Sequence, residues 1–193
     1  MNGELLWTGS AKDQIFGSAL FSDLDGDSAD DVIIGGRSGE LIAMNGKTGK
    51  EIWRFYIAND LESIGLATIF NFYNPHLTPD QDGDGTKDMI VSNGGDVIVR
   101  TYDPNRPPGF QLVISGKIGR HISHAVMPDG KETYMSVTIT ENEVRGDIEI
   151  IFGTGGETIG GILYVDYLSS VLECDLSGAK VLHTSKTKAI TVQ

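Results

Sequence analysis

The stretch "DLDGDSADD" sets four aspartates at the spacing Asp-x-Asp-x-Asp-x-x-x-Asp: Asp23, Asp25, Asp27 and Asp31. A second stretch, "DQDGDGTKD", repeats the pattern with Asp80, Asp82, Asp84 and Asp88, each 57 residues after its counterpart. Alternate residues of a tight loop send their carboxylates to the same side, which suits a hard, oxygen-seeking cation. Positions 1, 3 and 5 then converge, position 7 turns a backbone carbonyl inward, and position 9 closes the shell. The expected ligand sets are Asp23, Asp25, Asp27, the Ala29 carbonyl and Asp31, and Asp80, Asp82, Asp84, the Thr86 carbonyl and Asp88. Asp30 falls outside the set.

Four carboxylates crowded together repel one another unless a counterion is present. Their variable ligand number favours Ca²⁺ over Mg²⁺, and the absence of Cys and His at these positions excludes the usual zinc set. Two Ca²⁺ ions would bring the formal charge of −12 to −8. Gly26, Gly83 and Gly85 stand where such a loop turns hardest. The competing reading, ordinary Asp- and Gly-rich turns, is disfavoured by two copies at identical spacing. A third copy, "TENEVRGDIEIIFGTGG" (140–156), carries Glu141, Glu143, Arg145 and Glu149 in register. Arg145 at its fifth position makes it a degenerate loop in which no cation is expected.

The elements that must position these loops come from the same repetition. "LIAMNGKTGKEIWRF" (41–55) is echoed by "LVISGKIGRHIS" (112–123), with Gly49 on Gly119 and Trp53 on Ser123. "NGELLW" (2–7) puts Gly3 and Trp7 on Gly49 and Trp53, and "SGAKVL" (177–182) reads as the tail of the last unit. Composition and turns in the first unit predict strands at 15–22, 31–35, 39–44 and 50–57. Four antiparallel strands per unit, repeating about every 60 residues, make one blade of a β-propeller.

The expected architecture is all-β, about three such blades, a partial propeller in one segment spanning 1–193. Residues 1–14 end a preceding blade, 15–57 form one blade, and 64–123 form a second with an insertion at 95–110. A third occupies 133–185 with a helical insertion at 165–176. Three blades do not close a ring, since propellers use four to eight. Position 12 of the acidic loops is Ile34 or Val91 rather than the acid of an EF-hand, and the loops run into strands rather than helices.

These residues resemble the FG-GAP repeats of integrin α-subunit type β-propellers. Their mark, a DxDxDGxxD calcium loop followed by a hydrophobic strand and glycines, is met by "DLDGDSADDVIIGG" and "DQDGDGTKDMIVSNGG". "AMNGKTGKEIW" (43–53) is also similar to the A-x-D-x-x-T-G-x-x-x-W motif of quinoprotein propellers, with Asn45 in place of the aspartate. In that family the tryptophan docks one blade on the next, so the match implies blade packing and not quinone chemistry. Polysaccharide lyases with calcium-rich propellers are a third relative in kind.

The expected function is therefore non-catalytic: a calcium-binding propeller segment serving recognition or adhesion, outside the cell, in the periplasm or on the outer cell surface. The alternative is a fragment of a propeller enzyme, a quinoprotein-type oxidoreductase or a calcium-dependent polysaccharide lyase. Its candidate residues would be His76, Lys117, His121 and His124, which are scattered along the chain. His121 and His124 lie three apart in an expected strand, and so are expected on opposite faces. Trp7 and Trp53 are expected in packing between blades rather than on a sugar. "GTGGETIGG" (153–161) lacks the Lys of a phosphate-binding loop and reads as a hairpin turn.

The charge of −12 argues against nucleic acid as a partner, and no stretch approaches a membrane span. The ligand is expected to be protein or carbohydrate, with association through exposed blade faces. Cys174, the single cysteine, can make no internal disulfide.

Overall fold

The computed structural model describes residues 3–15, 17–56, 72–93, 103–133, 135–142, 147–155 and 161–185. Among them twelve strands form three four-stranded antiparallel sheets, each a simple meander in chain order. The first comprises β1 (Leu20–Ser22), β2 (Asp31–Gly35), β3 (Glu40–Met44) and β4 (Glu51–Tyr56). The second comprises β5 (Phe72–Thr78), β6 (Asp88–Asn93), β7 (Phe110–Ile114) and β8 (His121–Val126). The third comprises β9 (Thr138–Asn142), β10 (Asp147–Gly153), β11 (Gly161–Tyr167) and β12 (Lys180–Ser185), with the short helix α1 (Leu168–Leu172) between its last two strands.

Period-two alternation decides which side chain enters which core. Ile33, Leu41, Ala43 and Phe55 of the first sheet share one buried cluster with Phe72, Met89, Val91 and Leu112 of the second. The intervening Ile90, together with Val113 and Ala125, points the other way and joins Ile150, Phe152 and Tyr164 of the third sheet. The run "MIV" in β6 is wholly buried because the second sheet is covered on both faces. On the first sheet, the face turned away from the second lies under residues of the N-terminal segment, with Lys12 N donating to Glu40 at 2.7 Å. An apolar cleft of about 190 Å³ runs there along Trp7, Ile15, Val32, Ile34, Ile42 and Met44.

The expected strands at 31–35, 39–44 and 50–57 form within a residue of those bounds. The strand expected at 15–22 is shorter. Gly17 takes φ +79°, which breaks the extended run, so Ile15 makes one isolated bridge to Gly36 and only Leu20–Ser22 pair with β2. The helix expected at 165–176 is confined to Leu168–Leu172, because Val165–Tyr167 are held in β11 by pairing with β10. Residues 3–14, expected to end a preceding blade, carry no strand. Part of the expected insertion at 95–110 and the centre of "GTGGETIGG" lie outside the described residues.

The segment between the second and third sheets is tied to both. Arg106 and Glu132 form an ion pair at 2.5 Å with side chains only 6% and 0% exposed. Thr133 Oγ1 donates to the Gly153 carbonyl at 2.6 Å, and Gly109 N to the Lys131 carbonyl at 3.0 Å. No helix among the described residues is long and apolar enough to cross a membrane.

Candidate metal centre

The two acidic loops are built alike, bond for bond. In the β1–β2 loop, Asp23 Oδ1 accepts from Gly26 N at 2.8 Å and Asp27 N at 3.2 Å, while its Oδ2 accepts from Ser28 N at 2.9 Å. In the β5–β6 loop, Asp80 Oδ1 accepts from Gly83 N at 2.7 Å and Asp84 N at 3.3 Å, and Oδ2 from Gly85 N at 2.8 Å. Asp25 and Asp82 each accept from the N–H two residues on, at 3.2 Å. Asp27 and Asp84 do the same with Ala29 N and Thr86 N, at 2.9 and 2.8 Å. Ala29 and Thr86, expected to offer carbonyls, are thus held in each loop through their N–H groups.

This curl brings carboxylates together. One oxygen from each of Asp23, Asp25 and Asp27 lies within 4.8 Å of the others, and the same holds for Asp80, Asp82 and Asp88. The donors are all carboxylate oxygens, the set a hard dication takes. Asp31 does not join the first trio, nor Asp84 the second. Of the third loop, 143–146 lie outside the described residues; Glu141 is in β9 and Glu149 in β10, where Glu149 pairs with Thr140 and Tyr167.

The ninth-position acids do a further job. Asp31 is fully buried, its Oδ2 accepting from Leu24 N at 2.8 Å and its Oδ1 from Gly46 N at 3.0 Å. Asp88 repeats this with Gln81 N at 2.6 Å and Gly116 N at 3.0 Å. Each therefore ties its loop to the turn between the third and fourth strands of its own sheet. Those turns need glycine there. A Cβ on Gly46 would lie 2.0 Å from the Asp30 carbonyl, and one on Gly116 2.0 Å from that of Lys87.

The carbonyls of the same two glycines receive the tryptophans. Trp7 Nε1 donates to Gly46 O at 2.8 Å, and Trp53 Nε1 to Gly116 O at 2.7 Å. Each indole also lies on the glycine that closes the turn, Gly49 or Gly119. Trp53 thus carries the expected packing between units, from β4 of the first sheet to the turn of the second. In the third unit α1 replaces that turn, and Ser123, aligned with Trp53, donates from Oγ to the Val171 carbonyl at 3.1 Å.

An amide and two lysines from the neighbouring turns also reach the loops. Asn45 Nδ2 donates to Asp25 Oδ2 at 2.8 Å and Asp27 Oδ2 at 3.1 Å. Lys47 pairs with Asp27 at 3.2 Å, and Lys117 Nζ donates to the Asp84 carbonyl at 3.2 Å. The matching order Asn45-Gly46-Lys47 and Ser115-Gly116-Lys117, both 70 residues apart, was the signal in the sequence. An open cleft of about 380 Å³ joins the loops, lined by Leu24, Asp25, Gly26, Thr86 and Lys117.

Three of the loop carboxyls, Asp27, Asp80 and Asp88, are shifted from their ordinary values. The Asn45 amide holds the Asp27 carboxyl below its usual range, with Lys47 assisting, and the N–H of Gly85 does the same for Asp80. Burial pushes Asp88 the other way, above its usual value. An ion beside Asp88 would offset that cost.

Of the candidate catalytic residues, His121 and His124 meet, while Lys117 lies against the β5–β6 loop. His76 lies in β5, in a different strand from His121 and His124 in β8. The expectation that His121 and His124 face apart is overturned: His124 Nδ1 and His121 Nε2 are 3.3 Å from each other. A β-bulge is the cause, since Val113 pairs with Ser123 but Ile114 with His121, so an extra residue flips the alternation between them. The first sheet has the same bulge, which there brings Glu51 and Arg54 together at 2.7 Å.

No protein-family model matches the chain, and no curated protein matches it in sequence.

Proposed function

We propose that the chain is a calcium-binding segment of a β-propeller, with Asp23, Asp25, Asp27 and Asp31 holding one ion and Asp80, Asp82, Asp84 and Asp88 a second. The carbonyls of Ala29 and Thr86 complete the two shells. The observation that carries this reading is the matching set of backbone-to-carboxylate hydrogen bonds in the two loops, each around three converging carboxylates. The ions neutralise the clustered charge and fix each loop to the turn that the preceding unit's tryptophan grips. Four-stranded meanders packed in chain order, and the resemblance to FG-GAP repeats, support the propeller.

The role is recognition or adhesion outside the cytoplasm, where millimolar Ca²⁺ fills loops of modest affinity. The loops around the cleft of Asp25, Gly26, Thr86 and Lys117 offer a surface for a protein or carbohydrate ligand. Calcium titration of the chain tests the reading: two ions per chain are expected, one each in Asp25→Ala and Asp82→Ala. Unchanged stoichiometry in both variants would contradict it.

A further inference from the structure

We propose that His121 and His124 form a two-imidazole chelate for a transition-metal dication of zinc's class on the edge strand β8. Neither residue belongs to the acidic loops, so the proposal stands apart from the calcium reading.

The geometry is that of two ligands on one ion. Imidazoles bound at about 2.0–2.1 Å to a tetrahedral ion place their nitrogens about 3.3 Å and their ring centres about 5.2 Å apart. His121 Nε2 and His124 Nδ1 are 3.3 Å apart, and the ring centres 5.2 Å apart with planes tilted by 41°. A straight N–H···N bond of the same length would put the centres roughly 5.6 Å apart, so at least one ring is turned off the line joining the two nitrogens.

The arrangement is held in place without metal. The bulge opposite Val113 and Ile114 fixes the two Cα positions on one face, and the Phe110 ring meets His124 edge-on at 6.1 Å. A pair already in place gives up little side-chain freedom on binding. Imidazole nitrogen selects Zn²⁺, Cu²⁺ or Ni²⁺, whereas carboxylate and carbonyl oxygen select Ca²⁺, so the chain separates two classes of ion. Water fills the remaining positions around the ion.

Zinc titration by calorimetry, in saturating Ca²⁺ so that the acidic loops are filled, tests this. One zinc per chain is expected, weakened at least tenfold in His121→Ala and in His124→Ala and unchanged in His76→Ala. If either variant is poorly folded, ring resonances of the intact chain decide: zinc should shift two of its four histidines, His121 and His124. No zinc uptake, uptake indifferent to both substitutions, or shifts confined to other histidines would overturn the proposal.

Discussion

Trp53 and Gly116, 63 positions apart, are joined by a 2.7 Å hydrogen bond from the indole N–H to the glycine carbonyl. The N–H of that same glycine is held by Asp88. One glycine thus links the packing of two sheets to the acidic loop, and Trp7, Gly46 and Asp31 repeat the link one unit earlier. Trp53→Ala should cost about 3–5 kcal/mol in denaturant unfolding, and Trp53→Phe about 1–3. Asp88→Asn combined with Trp53→Phe should depart from additivity by about 0.5 kcal/mol or more, since both residues hold Gly116.

Ser28 sits at φ +65°, where the second loop has Gly85 at φ +89°. A side chain in the left-handed region costs roughly 1–2 kcal/mol. Ser28→Gly should therefore stabilise the protein by up to about 1 kcal/mol, and Gly85→Ser should destabilise it by a similar amount. Gly119→Ala should be worse than either, because φ is +63° and the added Cβ would lie 2.4 Å from the Trp53 ring. Melting curves of the three variants in saturating Ca²⁺ give the order.

Glu40 is nearly buried, paired with Arg54 and accepting from Lys12 N at 2.7 Å. Burial alone would push its carboxyl up, but the Lys12 N–H and the Arg54 guanidinium overcome this and hold it below the usual glutamate value. A depressed carboxyl stabilises the fold above its unfolded pKa of about 4.3 and loses that contribution as pH falls through the lower folded value. Glu40→Gln should thus destabilise by about 1–3 kcal/mol at pH 6–7. The gap to the parent should close as pH drops below about 4.3.

What the sequence disclosed was local and repeated: β2 at its observed bounds, the acidic loops, and the tryptophan register that places Trp7 and Trp53 on equivalent turns. What it concealed depended on pairing. The period-two rule put His121 and His124 on opposite faces because a bulge leaves no mark in composition, though the Glu51 and Arg54 pair in the same register hinted at one. The "IFGSALFS" run looked extended by its apolar content, but Gly17 turns it. Asn45 passed for a mere departure from a motif, yet its amide reaches two of the acids. α1 kept the docking role of the turn it replaces, with the Val171 carbonyl accepting where the earlier turns use a glycine's.

Calcium sites that clamp the fold, as proposed for the acidic loops, must couple its stability to Ca²⁺. Differential scanning calorimetry with millimolar Ca²⁺ and then excess chelator tests that claim most directly. The predicted result is a melting temperature that rises with Ca²⁺, by less in Asp25→Ala and in Asp82→Ala, and not at all in the double variant. A melting temperature that ignores both the chelator and these substitutions would contradict the claim.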